Sequence, residues 1–424
     1  MRERALRHTI GVMFKEEIFK AYDIRGKIGV DFDNGFAYKL GKVLIKQLNA
    51  KKIVVGRDTR ASSEGLAGEL IRGVTDAGAE VIDIGAVSTP LFYFGVIHEE
   101  ANCGVMVTAS HLGEEFNGFK MTKEKAIVIG GAELYKDARE LFNEDGGVAE
   151  KKGVVATKDL REEYIKETIK LSGLKIGDIK SRIKLVGNDV VVGEASAAAK
   201  ELSIEIVDRG EDIGFEFDSD GDRITVLDKS GAKISGDRIG GLIASHYFAD
   251  KKVVYDLRYS MGVLEYLESK GVEAVPSRIG HKKIKDLMRE LDIEFCGEQS
   301  GHFYFKSVGY VESSILAMFK VLGILAKTGA SIDELAGAVS SWSTTEEIYF
   351  DLASLEDAKN ILDRLKERYS DGRVNESDGI LVEYPNWRFL LRPSNTEPKL
   401  KLIVDAREPG LLEEKKGELL ELLM

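Results

Sequence analysis

The stretch Lys51-Lys52-Ile53-Val54-Val55, followed roughly 25 residues later by Glu80-Val81-Ile82-Asp83-Ile84-Gly85, decides the fold. A basic lead-in enters a short apolar strand, a stretch of helical length follows, and a second apolar strand begins. This spacing is typical of a βαβ unit, in which the strands are parallel and the crossover is right-handed. The sequence therefore predicts an α/β domain in this part of the chain.

The same pattern recurs twice further along the chain. Lys184-Leu185-Val186 is followed by Ile204-Glu205-Ile206-Val207-Asp208, and Lys251-Lys252-Val253-Val254-Tyr255 is followed by Val272-Glu273-Ala274-Val275-Pro276. Three copies of one strand–helix–strand pattern predict three related α/β domains.

The last 80 or so residues have a different pattern. Short strands alternate with two amphipathic helices, which is typical of an α+β domain. We predict strands at 347–350, 379–384, 387–391 and 399–404, and helices at 355–369 and 411–423.

Composition narrows the class of protein. The chain has 424 residues, of which 43% are hydrophobic, and its net charge is −12. Such a negative surface does not attract nucleic acid or anionic membranes. No apolar run is long enough to span a membrane and no signal peptide is predicted. Cys103 and Cys296 lie in apolar runs, which indicates buried thiols of a reducing compartment. We therefore expect a cytoplasmic protein that acts on a small molecule.

The run Val107-Thr108-Ala109-Ser110-His111 places a serine on a sharp loop directly after an apolar strand, with Lys120 nearby in sequence. A free serine hydroxyl is a poor nucleophile and needs help. Three later loops supply what phosphoryl transfer requires, so we interpret Ser110 as a phosphoryl carrier. His111 would be a hydrogen-bond donor beside it, and Lys120 a cation. The simpler alternative is a surface turn in which Ser110 caps a helix.

The run Asp218-Ser219-Asp220-Gly221-Asp222-Arg223 carries carboxylates at alternate positions, which point the same way in an extended chain. Concentrated negative charge needs a cation to neutralise it. Oxygen ligands without histidine select a hard ion, Mg²⁺ above Zn²⁺. The flanking residues 213–217 and 224–227 are apolar, as expected of a turn between buried strands rather than of a solvated acidic turn. The loop is a predicted Mg²⁺ site.

Two further loops carry groups that suit a phosphorylated sugar. Gly297-Glu298-Gln299-Ser300-Gly301-His302 offers hydrogen-bonding groups for vicinal hydroxyls, and Arg278-Ile279-Gly280-His281-Lys282 adds a cationic turn. Arg392-Pro393-Ser394-Asn395-Thr396-Glu397-Pro398 combines a guanidinium with hydroxyls, an amide and backbone N–H groups, which together make an anion cradle. Each of these strings taken alone is also typical of a polar turn between strands.

In this order the four loops resemble the α-D-phosphohexomutase superfamily, in its phosphomannomutase/phosphoglucomutase branch. Tyr22-Asp23-Ile24-Arg25-Gly26 and Val55-Gly56-Arg57-Asp58 are similar to that family's first domain. The resemblance runs from about residue 19 to about residue 404. It implies an α/β fold of four domains around a central cleft, three of them βαβ-based with mixed sheets and the last α+β.

The resemblance implies boundaries and roles. The domains would be 1–152 with the phosphoserine loop, 153–249 with the metal loop and shortened, 250–344 with the sugar loop, and 345–424 with the phosphate loop. Ser110, Asp218, Asp220 and Asp222 would hold Mg²⁺. The catalytic residues would be Ser110, Lys120, Arg25, His111 and His302. The substrate-binding residues would be Tyr22, Arg223, His281, Glu298, Ser300, Arg392, Ser394, Asn395 and Thr396.

The activity implied is reversible phosphoryl transfer between the 1- and 6-positions of a hexose phosphate of mannose or glucose. Phosphorylated Ser110 would convert the monophosphate to a hexose 1,6-bisphosphate, which serves as intermediate and activator and turns around before returning a phosphate. Lys120 is preferred to Arg25 for moving the proton, because arginine does not easily lose one. The partner would be a small sugar phosphate, with no nucleic acid or membrane, and the protein a monomer or homodimer.

Three departures from the family pattern keep alternatives open. Leu112-Gly113 replaces Asn-Pro after the serine loop, Ser219 replaces glycine in the metal loop, and the second domain is short. We expect the Ser219 side chain to point away from the ion. The alternatives are a phosphoglucosamine mutase, a non-catalytic sugar-phosphate-binding protein, and an aspartyl phosphatase of the haloacid dehalogenase type with Asp218 as nucleophile.

Overall fold

The computed structural model describes residues 14–144, 147–352, 355–393 and 399–423. The chain divides into two compact units. The first contains the residues up to Ile224 together with Ser307–Phe319, and the second contains Thr225–Lys306 and the residues from Lys320 onward.

The strands of the described residues are β1 (Ile24–Lys27), β2 (Lys52–Arg57), β3 (Glu80–Ala86), β4 (Cys103–Val107), β5 (Phe116–Lys123), β6 (Val128–Ile129), β7 (Val155–Thr157), β8 (Ile183–Val186), β9 (Ile213–Phe217), β10 (Ile224–Leu227), β11 (Lys233–Ile234), β12 (Lys252–Asp256), β13 (Glu273–Ser277), β14 (Phe295–Gly297), β15 (Phe303–Phe305), β16 (Val311–Glu312), β17 (Ser343–Thr344), β18 (Ile348–Asp351), β19 (Arg373–Asn375), β20 (Ile380–Glu383), β21 (Trp387–Pro393) and β22 (Lys399–Ala406).

The α-helices of the same residues are α1 (Asn34–Leu48), α2 (Ser63–Asp76), α3 (Thr89–His98), α4 (Gly131–Asn143), α5 (Arg161–Ser172), α6 (Asp189–Glu201), α7 (Gly236–Tyr247), α8 (Met261–Ser269), α9 (His281–Glu290), α10 (Ser314–Thr328), α11 (Ile332–Val339), α12 (Leu355–Arg368) and α13 (Pro409–Leu423). Short 3₁₀ turns lie at Glu16–Ile18, Glu124–Ala126 and Lys306–Val308.

The first βαβ prediction is confirmed. β2 and β3 pair in parallel, and β2 pairs in parallel with β4, so the buried apolar strands lie side by side. The mixed sheet has the order β1-β5-β4-β2-β3-β7, with β6 on β5. A Cβ on Gly118 of β5 would lie 2.1 Å from the carbonyl oxygen of Ile24, so only glycine lets β1 approach here. Arg25 therefore lies directly beside β5.

The second βαβ unit differs from its prediction in one strand. The residues predicted as a strand at 204–208 form only an isolated parallel bridge, between Ile206 and Ile183. The chain turns immediately afterwards at Gly210, which has φ of +75°. The parallel partner of β8 is instead β9, with Ile183 opposite Ile213. The unit is thus β8–α6–β9, and β9 leads straight into the acidic loop.

The second unit contains the third predicted βαβ pattern, which is confirmed. β12 pairs in parallel with β13 and with β14, and β14 pairs antiparallel with β15. The C-terminal sheet is antiparallel, in the order β17-β22-β21-β20-β19 with β18 on β22. The predicted strands and helices of this region are present, and β17 and β19 are additional strands of the sheet. Its core is built from buried residues such as Leu365, Phe389 and Val404.

Two further predictions concern buried thiols and membranes. Cys103 and Cys296 are buried free thiols, as predicted. Among the described helices, none is by itself both long and apolar enough for a membrane span; α10 and α11 reach that length and composition only as a pair, bent by 99°.

Candidate functional site

Ser110 lies just beyond the buried end of β4 in a strained backbone conformation. Its φ is +53°, a left-handed value that costs a residue with a Cβ about 1–2 kcal/mol. The Ser110 N–H donates to the hydroxyl of Thr108 at 2.9 Å. Strain of this kind persists only where the surroundings impose it, and it clusters at functional sites. The backbone of Ser110 is therefore held by its loop in one orientation.

Arg60 is the side chain that holds the serine loop, and the sequence reasoning missed it. Its guanidinium donates to the carbonyl oxygens of Ser110 and Leu112, each at 2.6 Å, and of Gly113 at 2.8 Å. Asp58 lies 3.2 Å from its Nε. These bonds reach backbone carbonyl oxygens, so Arg60 holds the loop without using the side chains of Leu112-Gly113. The sequence signal that could have indicated Arg60 is the run Gly56-Arg57-Asp58, because Arg60 follows it two residues later.

The acidic loop between β9 and β10 brings its three carboxylates together. Oxygens of Asp218, Asp220 and Asp222 lie within 4.8 Å of one another. Gly221 has φ of +72°, and a Cβ there would lie 2.8 Å from the side chain of Val191, so the turn requires glycine. The three aspartates are therefore close enough to hold one metal ion together, and the assignment of Ser110 as a fourth Mg²⁺ ligand stays a prediction.

Ser219, which departs from the family pattern, links the two loops. Its hydroxyl donates to the backbone carbonyl oxygen of Ser110. The side chain is thus directed towards the serine loop, which agrees with the expectation that it avoids the ion. Ser110 Oγ in turn lies 3.5 Å from Asp218 Oδ2. The nucleophile candidate and the acidic trio therefore belong to one hydrogen-bonded assembly.

The electrostatics of the trio favour a bound cation. Burial, together with the charges of Asp222 and Asp220, raises the pKa of Asp218 well above its ordinary value. Asp220 Oδ1 is buried and has no hydrogen-bond partner among the residues that the structure describes. Carboxylates this close cannot all stay ionised without compensating positive charge. An oxygen-only trio with a free buried oxygen fits Mg²⁺.

Lys120 supplies part of the positive charge. It lies opposite Met106 in the β4–β5 ladder, and its Nζ is 2.6 Å from Asp220 Oδ2 and 2.5 Å from Asp222 Oδ2. Burial lowers the pKa of Lys120, but the charges of the two aspartates outweigh burial and raise that pKa above its ordinary value. In this arrangement Lys120 is an ammonium. Its role as proton acceptor stays a prediction.

Arg25 and His111 lie against the same loop. Arg25 donates to Asp23 at 2.6 Å and to the carbonyl oxygen of Ala109 at 3.2 Å. Burial and the charges of Arg223 and Arg25 lower the pKa of His111 to about 4, so the ring is neutral at pH 7. His111 Nδ1 lies 3.3 Å from both Ser110 Oγ and Arg223 Nη2. Because arginine can only donate, Nδ1 is an acceptor here and the ring proton is on Nε2, so the role of His111 as a hydrogen-bond donor stays a prediction.

In the second unit, Glu298 is surrounded by donors. Tyr304 donates to Glu298 Oε2 at 2.6 Å, His302 Nδ1 lies 3.0 Å from the same oxygen, and Arg258 lies 3.4 Å from Oε1. Burial raises the pKa of Glu298, but His302 and Arg258 outweigh it and bring that pKa to about 2. Glu298 is therefore a carboxylate acceptor, as sugar hydroxyl binding requires. Ser300 Oγ is 3.0 Å from His302 Nδ1.

The remaining predicted residues are placed as follows. His281 is the first residue of α9. Buried Arg392 lies on β21, and its Nε is 3.8 Å from Asp378, which also accepts the N–H of Ile279 at 2.9 Å. Asp378 thus joins Arg392 to the 278–281 turn. Tyr22 is half-buried in the bend before β1. Ser394, Asn395 and Thr396 lie outside the described residues.

Glu194 is a buried carboxyl on α6 behind the acidic loop. Its Oε1 accepts the N–H of Ser88 at 3.0 Å, and its Oε2 has no hydrogen-bond partner among the described residues. Burial raises the pKa of Glu194 from 4.5 to about 7; Ser88 and Arg161 oppose the rise, and Asp159 adds to it. The folded state therefore holds a proton that the unfolded chain releases.

Glu194→Gln is expected to flatten the pH dependence of stability. Protonation of Glu194 contributes to the free energy of unfolding, and this contribution is complete below pH 4.5 and is lost as the pH rises through about 7. Across that range the free energy of unfolding changes by about 3 kcal/mol because of this group. Urea midpoints measured near pH 5 and pH 8 check it, with Glu201→Gln at the exposed end of the same helix as control. A glutamine variant that keeps the wild-type pH dependence would show that another group is responsible.

Known families match most of this chain. Residues 16–145 match the family domain described as "Phosphoglucomutase/phosphomannomutase, alpha/beta/alpha domain I". Domain III of the same family matches residues 235–341, and its C-terminal domain matches residues 343–422.

Individual proteins agree with these matches. The phosphomannomutase of Methanocaldococcus jannaschii is 35% identical over 444 residues, covering 96% of this chain and 97% of that protein. A phosphoglucomutase/phosphomannomutase family protein from Burkholderia thailandensis is 26% identical with a TM-score of 0.86, covering 97% of this chain and 98% of its own. Aspergillus fumigatus N-acetylphosphoglucosamine mutase shares the fold at 16% identity and a TM-score of 0.61, covering 94% of each chain. By these matches the chain belongs to the α-D-phosphohexomutase superfamily.

Proposed function

We propose that this phosphohexomutase works through phosphorylated Ser110, which exchanges its phosphoryl group with the 1- and 6-hydroxyls of a hexose phosphate. The observation that carries the proposal is the assembly around Ser110. Its hydroxyl lies 3.5 Å from Asp218 and 3.3 Å from His111, and Lys120 pairs with Asp220 and Asp222 of the same acidic loop. Phosphoryl transfer is catalysed by positioning and by charge stabilisation, and this assembly supplies both.

The acidic trio is proposed to hold Mg²⁺. Asp218, Asp220 and Asp222 offer hard oxygen ligands, and the raised pKa of Asp218 reports charge that a cation would neutralise. When bound, the ion supplies charge stabilisation for the oxygens of the transferring phosphoryl group. In support, the A. fumigatus relative has been crystallised with GlcNAc-6P and magnesium, and in a second structure with glucose 1,6-bisphosphate.

Each half of the reaction breaks one P–O bond and forms another. The phosphorus leaves Ser110 Oγ and joins the free hydroxyl oxygen of a hexose monophosphate, whose proton replaces the phosphoryl group on Ser110. The product is a hexose 1,6-bisphosphate, and the reverse step from its other end gives the isomeric monophosphate. Lys120 and Arg25 are cations here, so we assign them to stabilising negative charge on the phosphoryl oxygens.

Residues of the second unit are proposed to bind the sugar phosphate. Glu298 is ionised and accepts hydrogen bonds, so with Ser300 it suits two neighbouring hydroxyls, taken to be those on carbons 3 and 4. Arg392 and His281 suit the phosphate that does not react. Mannose and glucose differ only at carbon 2, so recognition of carbons 3 and 4 predicts activity with both. The names of the relatives are consistent with these sugars.

The proposal is tested by following the phosphoryl group. The protein is incubated with hexose 1,6-bisphosphate labelled in its phosphates, separated from it, digested and mapped. We expect the label on the peptide that contains Ser110, and its release as hexose bisphosphate when unlabelled mannose 1-phosphate or glucose 1-phosphate is added. Label on Asp218 would indicate an aspartyl phosphatase instead. An active enzyme without label on Ser110 would overturn the proposal, and a parallel assay with glucosamine 6-phosphate separates the phosphoglucosamine alternative.

A further inference from the structure

The N-terminal turn of α3 is bonded directly to the acidic loop. Thr89 is completely buried, and its N–H donates to the carbonyl oxygen of Asp220 at 2.8 Å. Its hydroxyl donates to Asp220 Oδ2 at 2.6 Å. One residue of the first βαβ domain thus makes two bonds to one aspartate of the trio. Nothing in the sequence motif itself accounts for this contact.

The bond from the Thr89 hydroxyl makes the two oxygens of the Asp220 carboxylate different from each other. Oδ2 accepts from both the Thr89 hydroxyl and the Lys120 ammonium at 2.6 Å. Oδ1 is buried and has no hydrogen-bond partner among the described residues, although it belongs to a trio whose oxygens converge within 4.8 Å. With Oδ2 occupied by two donors, the carboxylate cannot rotate freely. Oδ1 is left as the oxygen available to a cation.

The turn that carries Thr89 is itself fixed. The N–H of Ser88 is bound by Glu194 at 3.0 Å, and the hydroxyl of Ser88 caps α3 by accepting the N–H of Leu91 at 3.2 Å. Pro90 restricts the backbone of the first helical turn. On the other side, Ser314 donates to the carbonyl oxygen of Gly221 at 2.6 Å. The loop and the turn that holds it therefore have little freedom to shift apart.

We propose that Thr89 is a positioning residue for the metal site, acting through Asp220. This inference rests on the proposed function in one respect, the assignment of Asp220 as a cation ligand. Hydrogen bonds from neighbouring residues orient metal-binding carboxylates, and their loss typically weakens metal affinity by about 10–100-fold. The hydroxyl of Thr89, and not its volume, is the group that matters.

The experiment compares Thr89→Val, which keeps the shape and removes the hydroxyl, with Thr89→Ser, which keeps the hydroxyl. Binding of Mn²⁺, used as the probe ion, is measured directly by electron paramagnetic resonance in the absence of substrate. We expect the dissociation constant to rise about tenfold or more in the valine variant and to stay within about threefold in the serine variant. Activity of the valine variant should recover as Mg²⁺ is raised, which a general packing defect would not produce.

Two further variants distinguish failure of this inference from failure of the metal assignment. They are Asp220→Asn and the double variant that combines Asp220→Asn with Thr89→Val. If Thr89 acts through Asp220, removing its hydroxyl has no further effect on Mn²⁺ binding once Asp220 is asparagine. Wild-type Mn²⁺ affinity in Thr89→Val, together with weakened affinity in Asp220→Asn, would overturn this inference and leave the metal site intact. Wild-type affinity in both would overturn the metal assignment too. If valine is not accommodated in the fold, Thr89→Ala against Thr89→Ser repeats the comparison.

Discussion

Ser110→Ala is expected to lower kcat by roughly 10³-fold or more, because it removes the oxygen that carries the phosphoryl group. The Ser110 side chain is buried, and among the described residues its hydroxyl lies near His111 and Asp218 of the first unit. Glu298 and Arg392, which we propose to bind the sugar phosphate, belong to the second unit. KM for the sugar phosphate should change little in the residual activity. Steady-state kinetics with mannose 1-phosphate or glucose 1-phosphate, supplemented with hexose 1,6-bisphosphate, measures both constants.

Ser110→Gly is the matched control for this substitution. It removes the same hydroxyl, but glycine adopts the φ of +53° at this position without steric strain. The glycine variant should therefore be inactive like the alanine variant, yet more stable than it by about 1 kcal/mol in urea denaturation. Equal stability of the two would show that the strained backbone relaxes when the hydroxyl is lost. Substantial activity in either would show that Ser110 is not the phosphoryl carrier.

The sequence was sufficient for the first and third βαβ patterns and for placing the acidic loop between two apolar strands. Apolar runs with basic lead-ins at βαβ spacing correctly predicted parallel pairing of β2 with β3 and of β12 with β13. The prediction was wrong at 204–208, where the residues have the composition of a strand. Composition does not reveal that the chain turns at Gly210, which leaves room for only one bridge.

The contacts that hold the site could not be predicted, because they join positions remote in sequence. Arg60 binds the carbonyl oxygens of the serine loop about 50 residues away, and Thr89 binds Asp220 across 131 residues. Both use backbone atoms or a plain hydroxyl, which leave no characteristic pattern in the chain. The motifs predicted which groups do chemistry. Only the packing of α3 and of the loop after β2 against them shows what keeps those groups in place.

Asp220→Asn is expected to lower activity by roughly 10²-fold or more and to shift its dependence on added Mg²⁺ to much higher concentrations. Asp220 has no exposed side-chain surface and is paired with Lys120 at 2.6 Å, so asparagine replaces a charge in the most enclosed position of the trio. Kinetics over a range of Mg²⁺ concentrations, after treatment with a chelator, measure the effect. Asp208→Asn is the control, because Asp208 is an exposed acid that precedes β9 in the same unit.

Stability gives a second measurement of the same site that does not depend on catalysis. A ligand that binds only the folded protein stabilises it by about 2.7 kcal/mol at a hundredfold excess over its dissociation constant. Mg²⁺ should therefore raise the Tm of the wild-type protein and of Asp208→Asn, and should leave that of Asp220→Asn nearly unchanged. Relief of repulsion within the trio, reported by the raised pKa of Asp218, should meanwhile offset part of the lost pairing with Lys120 when no ion is present. An equal Mg²⁺-induced rise in all three proteins would place the cation elsewhere.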